Sequence, residues 1–207
     1  KIDDWEQYLD LMVTSIAANG GRSCINASGV WVPAHGRKIA EALGDRLSQI
    51  QALPLEDPKA QLAAFANPEL AHKLSALIDA QLGDEAQDLA RGQSTRVDTT
   101  GGCTFLNPTL IHTPYADHPL ANAEYLFPFA AVVEVPEAEL VARIGPTLVA
   151  TALTEDEHLI RQLLASPHVE RLNLGPIPTN QISWDQPHEG NLFDFLYQQR
   201  ALQRMAG

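Results

Sequence analysis

Apolar residues near the start of the chain recur at helical spacing: Trp5, Tyr8, Leu9, Met12 and Ile16 share one face, with Asp3 or Asp4 placed to cap it. The pattern predicts an amphipathic helix from Asp4 to Ala18. It ends at Asn19-Gly20-Gly21, where glycine admits backbone angles that stop a helix. A loop with Arg22, Ser23 and Cys24 follows. Ser28 to Pro33 reads as a short strand closed by proline, and Ile39, Leu43, Leu47 and Ile50 predict a helix from Gly36 to Gln51.

Pro54 to Arg91 is polar and alanine-rich and reads as surface helices, with Pro68 at a helix start and Leu70, Leu74, Leu77 and Ile78 as the apolar stripe. Thr99-Thr100-Gly101-Gly102 marks a turn. Phe105 to His112 reads as one extended segment, and Pro108, which has no N–H to donate, argues for an edge position. Beyond it the chain alternates: strand Phe129 to Val135, helix Glu137 to Ile144, strand Thr147 to Ala152, helix Glu155 to Ala165, strand Val169 to Leu174. This alternation predicts an α/β fold with a largely parallel sheet flanked by helices. Asn191 to Arg204 is expected to be helical.

Composition sharpens this picture. The 207 residues are 45% hydrophobic and 19% charged, as in one ordinary globular domain. A formal charge of -12 argues against nucleic acid and against an anionic membrane surface, both of which need clustered cations. No apolar run has the length of a membrane span, and Lys1-Ile2-Asp3-Asp4 does not open a signal peptide, so a cytoplasmic location is the expectation. Two cysteines are too few for a disulfide framework or a zinc cluster, so each is weighed as a free thiol. The start on Lys1, directly before a helix, is how a fragment looks.

Cys24 stands in a glycine-bearing loop between helix and strand, beside Arg22, whose charge would favour thiolate. A lone cysteine is otherwise often a small buried core residue. The phrase Asn19-Gly20-Gly21-Arg22-Ser23-Cys24 resembles the Asn-x-Gly-x-x-Cys motif around the nucleophile of the aldehyde dehydrogenase superfamily. Pro108-Thr109, Leu172-Asn173 and Glu124-Tyr125-Leu126-Phe127-Pro128, where that family has Glu-x-Phe-Gly-Pro, extend the resemblance. Cys24 and Glu124 are 100 positions apart, close to the family's spacing.

The resemblance implies that the whole chain, 1–207, is the cysteine-bearing catalytic domain of an NAD(P)-dependent aldehyde dehydrogenase, separated from its nucleotide-binding domain. Cys24 is then the nucleophile, forming a thiohemiacetal and then a thioester, and Glu124 the hydrogen-bond acceptor for the ribose beside the nicotinamide of NAD or NADP. The family's activating glutamate and oxyanion asparagine lie upstream of the cysteine, so both are expected before Lys1, and the isolated fragment is expected to be inactive. Expected partners are an aldehyde and the nucleotide-binding domain of the same protein, with a homo-oligomer at full length.

Two further readings stay open: a CoA-acylating aldehyde dehydrogenase, in which CoA takes the acyl group, and a non-enzymatic interaction domain that keeps the fold. Leu126-Phe127 in place of Phe-Gly leaves the packing under the ribose undetermined. Asn19 is read as loop-shaping, its side chain bonding nearby backbone, and Cys103 as structural. His112 and His118 lie near Asp117, but no pair has metal-ligand spacing on a helix, so no metal is expected. Gly175 to Trp184 is the expected aldehyde-tunnel loop, with Trp184 a tunnel wall or a core residue, and His188-Glu189 marks a proline-glycine turn. Gly20-Gly21 and Gly101-Gly102 are pairs and not phosphate loops, so the cofactor pyrophosphate must be held by another domain.

Overall fold

The computed structural model describes residues 3–91 and 95–183. A 3-10 turn over Trp5–Tyr8 runs into helix α1, Leu9–Ala17, whose buried side is Leu9, Met12 and Ile16, as the apolar spacing predicts. Strand β1 is Gly29–Val32 and helix α2 Gly36–Leu47. From Pro54 to Arg91 only one helix forms, α3, Pro68–Leu82, with Pro68 in its first turn and the Asn67 side chain accepting the Glu69 N–H. The stretch before α3 is not helical. Leu53 and Asp57 each precede a proline, which disfavours helical angles, and the backbone closes a turn from Asp57 N–H to Pro54 C=O instead.

The remaining elements are β2, Gln87–Asp88; β3, Val97–Thr100; β4, Cys103–Leu106; β5, Thr109–Thr113; and β6, Phe129–Glu134. They are followed by α4, Leu140–Ile144; β7, Thr147–Ala152; α5, Glu157–Ala165; and β8, Val169–Leu174. The segment expected to be one extended edge strand is two strands broken at Asn107-Pro108. β4 turns back on β3 as a hairpin around Gly101-Gly102, and β5 lies inside a sheet of order β1-β6-β5-β2. Pro108 sits just outside the strand, where its missing N–H costs no ladder bond.

In that sheet β1, β6 and β5 run parallel and only the two-residue β2 is antiparallel. β7 and β8 form a separate parallel pair, so the α/β fold is mixed but largely parallel. Alternation along β6 sends Phe129, Ala131 and Val133 to one face, with α3 and Phe127, and Ala130 and Val132 to the other, with α1 and α2. Helices thus cover both faces, which is why β6 is apolar almost throughout.

One buried charge anchors the far side. Arg96, immediately before β3, is 2% exposed and donates to Asp88 (2.9 Å), Asp79 (3.0 Å), the Ser75 carbonyl (2.9 Å) and the Thr109 hydroxyl (3.0 Å). Burial pushes the Asp88 carboxyl above its ordinary value, although Arg96 pulls the other way. Among the described residues no helix is long and apolar enough to cross a membrane. Trp184, His188 and Glu189, and the helix expected from Asn191 to Arg204, lie outside the described residues.

Candidate active site

The Cys24 loop is shaped first by its backbone. Asn19, Gly20 and Gly21 take φ of 55°, 65° and 67°, which turns the chain sharply out of α1. At Gly21 a side chain has no room, because a Cβ there would lie 2.4 Å from the Phe127 carbonyl carbon and from Pro128 N. The loop and the Glu124-to-Pro128 segment therefore touch backbone to backbone, joining two phrases about a hundred positions apart in the sequence.

Asn26 ties the other side of the loop. Its Oδ1 accepts the Ser23 N–H at 2.8 Å, while its Nδ2 donates to the carbonyls of Ser15 (3.0 Å) and Ala18 (3.1 Å). The side-chain bonding expected of Asn19 is thus made by Asn26, and Asn19 contributes its left-handed backbone. Sequence reasoning passed over Asn26; its signal was an amide two positions past the cysteine, where a loop must satisfy its own backbone. Arg22 is directed to the carbonyls of Ala64 (2.7 Å) and Ala63 (3.3 Å), its guanidinium 5.0 Å from the centre of the Phe65 ring. Instead of a partner for the thiol, it is a clamp between the loop and the 63–65 segment.

So held, Cys24 is exposed, which excludes the reading of a core cysteine. Glu124 is exposed as well. Both line one cavity of about 440 Å³, whose walls include α1, β1, α4 and β7. β1 is an edge strand of its sheet and β7 of its pair, and the cavity lies along both. Thr179 also lines it, 6% exposed, with its N–H bonded to Ser15 Oγ at 3.2 Å and its own Oγ1 buried without a partner.

The departure at Leu126-Phe127 resolves simply. Phe127 is 2% exposed and packs with Tyr125 and Phe129, ring centres 6.0 and 6.1 Å away. Among the described residues other than glycine, only Asn19 and His35 have positive φ, so position 127 demands no angle reserved for glycine. Leu126 instead is left 61% exposed beside Glu124.

The other candidates fall away from this cavity. Cys103 is half-buried in the β3–β4 hairpin opposite Thr100. His118 is buried, its Nδ1 accepting the Leu120 N–H and its Nε2 3.3 Å from the Leu82 carbonyl, which is a structural role. Burial and the Arg37 cation lower the His112 pKa. Asn173 is buried and donates to the Thr151 hydroxyl at 3.2 Å, linking β8 to β7. Among the described residues no group of three His, Cys, Asp or Glu is arranged to hold a metal ion.

Glu124 presents an exposed carboxylate, a hydrogen-bond acceptor, on the same cavity as the thiol. Of the glycine pairs, Gly20-Gly21 packs on Ala63 and on Phe127-Pro128, and Gly101-Gly102 makes the hairpin turn.

The Aldehyde dehydrogenase family model matches residues 2–164. No curated protein sequence matches significantly. Among solved structures, PnpE from Pseudomonas sp. WBC-3 aligns with a TM-score of 0.76 at 16% identity, over 92% of this chain and 39% of its own. Betaine aldehyde dehydrogenase from Staphylococcus aureus, in complex with NAD+, aligns at 0.69 and 18%, over 83% of this chain and 35% of its own. Lactaldehyde dehydrogenase from Escherichia coli aligns at 0.69 and 16%, over 83% of this chain and 36% of its own. At such identities the likeness is one of fold, and the chain spans less than two-fifths of each of these structures.

Proposed function

The chain belongs to the aldehyde dehydrogenase family, and from that membership we propose that it is the cysteine-bearing catalytic part of an NAD(P)-dependent enzyme that oxidises an aldehyde to a carboxylic acid. The observation that carries the reading is the shared cavity: an exposed thiol, Cys24, and an exposed carboxylate, Glu124, joined through the backbone contact of Gly21 with Phe127-Pro128.

Cys24 Sγ, as thiolate, adds to the aldehyde carbon, and the carbonyl π electrons move onto oxygen to give a thiohemiacetal. A nicotinamide, if bound here, would supply the hydride acceptor: the C–H bond of the thiohemiacetal breaks, its hydrogen leaves with the electron pair, and the acyl group stays on Cys24 sulfur as a thioester. Water then adds to the thioester carbon, the carbon–sulfur bond breaks, and Cys24 returns as thiolate while the acid leaves. The resemblance to the family puts the base that takes the water proton at a position preceding the cysteine motif, and no residue of this chain is assigned that role. Glu124 would hold such a cofactor by accepting hydrogen bonds from its ribose hydroxyls. The loop geometry suits this work, since Asn26 ties the cysteine loop to α1 and Gly21 packs it against Phe127-Pro128.

The test is turnover of the whole protein with a panel of aldehydes and NAD or NADP, read as absorbance of the reduced nucleotide. Cys24→Ala is expected to lower kcat by about a thousandfold or more; unchanged turnover overturns the nucleophile. Glu124→Gln is expected to raise the KM for the nucleotide about tenfold with a smaller effect on the aldehyde KM.

A further inference from the structure

Resting on the reading of Cys24 as nucleophile, we infer that Ser15 is a positioning residue that ties the seating of the 175–181 segment to the aim of the Cys24 loop. Ser15 is buried in the last turn of α1, where a helix leaves carbonyls that it cannot pair itself. The Ser15 carbonyl accepts the Ala27 N–H at 2.9 Å and Asn26 Nδ2 at 3.0 Å, and Asn26 Oδ1 in turn accepts the N–H of Ser23, next to Cys24. The side chain faces the other segment. Ser15 Oγ donates its hydrogen to the Leu11 carbonyl at 2.9 Å, so toward the Thr179 N–H, 3.2 Å away, it acts as acceptor. One residue thus joins the cysteine loop to a segment 164 positions further along the chain.

The seat of the 175–181 segment shows why that single bond matters. Pro176 and Pro178 have no N–H to donate, and the segment is fixed through the Gly175 N–H to the Ala152 carbonyl, the Thr151 hydroxyl to the Ile177 carbonyl and Arg171 Nη2 to the Gln181 carbonyl. Those three bonds lead to β7 and β8, whereas the Thr179 N–H leads through Ser15 to the Cys24 loop. Arg171 Nε and Nη1 and the Thr179 hydroxyl are buried here without partners. With its polar groups only partly satisfied, the seat depends on the bonds that are made. Ser15 and Thr179 also line the cavity that Cys24 and Glu124 share. A shift of the segment therefore reaches Cys24 by way of Ser15 and Asn26, a path to which Glu124 does not belong.

The experiment uses the whole protein. Ser15→Ala removes Oγ but keeps the residue type most favourable to a helix, so α1 is retained, and Ser15→Thr keeps a hydroxyl. Two measurements need no turnover: amide hydrogen exchange, and alkylation of Cys24 by N-ethylmaleimide with Cys24→Ser subtracting the reaction of Cys103. In Ser15→Ala, exchange is expected to rise about tenfold or more at Thr179 and also at Ser23, and the alkylation rate of Cys24 to change about threefold or more, with Ser15→Thr returning both toward the parent values. Faster exchange at Thr179 with Ser23 and Cys24 unaltered is the mark of a merely structural bond and overturns the inference. With aldehyde and nucleotide, kcat of Ser15→Ala is expected to fall about tenfold while the nucleotide KM stays within about twofold. Added to Asn26→Ala, Ser15→Ala is expected to cost little more, since both act on one path; fully additive losses overturn the coupling. If exchange and alkylation follow Ser15 while no aldehyde is oxidised, the dehydrogenase reading falls and the coupling stands. If Ser15→Ala oxidises aldehydes as fast as the parent protein, the coupling falls and the dehydrogenase reading stands.

Discussion

Each cysteine of this protein follows a glycine pair, and the two pairs live in opposite surroundings. Cys24 comes three residues after Gly21, while Cys103 comes directly after Gly102. All four glycines have positive φ, so each pair turns the chain. A Cβ on Gly21 would collide with the backbone of Phe127 and Pro128, whereas a Cβ on Gly102 would meet nothing within 4 Å. The first turn is a joint between distant parts of the fold, and its cysteine opens onto a cavity. The second is the end of a local hairpin, and its cysteine is one more strand residue. The same short phrase thus opens onto a cavity only where a long-range partner presses against it.

That contrast can be broken from either side. The largest effect is expected on the Cys103 side, where Arg96 anchors the foot of the hairpin: Arg96→Met leaves Asp88 buried without its cation and should cost about 3–5 kcal/mol in chemical denaturation. Cys103 should then react faster with thiol reagents while Cys24 stays as it was, and an undiminished stability would show that the anchor is not energetic. On the Cys24 side, Gly21→Ala combines a left-handed backbone with a backbone collision and should cost about 2–4 kcal/mol, against about 1 kcal/mol for Gly102→Ala, where only the backbone angle is penalised. Equal costs in the same denaturation series would dissolve the distinction between joint and hairpin end.

On the Cys24 side a smaller effect than that of Gly21→Ala is expected for Asn26→Ala, which removes the bonds to Ser23, Ser15 and Ala18 and should cost about 1–2 kcal/mol. Its sharper readout is kinetic. Turnover should fall further than stability, because the loop that aims Cys24 loses its brace, and a variant with full kcat would remove Asn26 from the positioning of the thiol.

Legibility differed in the same way. Helix α1, β6 and the alternation from β6 to β8 could be read from apolar period alone, since each buries one face or both. The inner position of β5 could not, because Pro108 looked like a strand residue and lies just before one. The long span before α3 read as helical by composition, yet two prolines and an Asp57 turn kept it irregular. At the site, Cys24 and Glu124 stood out by their phrases. Asn26, Thr179 and the clamp of Arg22 did not, since their partners lie 11, 164 and 42 positions away.

The sequence by itself determined helices α1 to α5, strands β1, β6, β7 and β8, their α/β order and the two phrases that carry the family resemblance, because period, turn residues and short motifs are local properties. Only the tertiary structure decided that Gly21 meets Phe127-Pro128, that Cys24 is exposed in a cavity shared with Glu124, and that Arg22 faces carbonyls and an aromatic ring. Those are outcomes of packing, in which a residue's neighbours come from elsewhere in the chain and no local pattern names them.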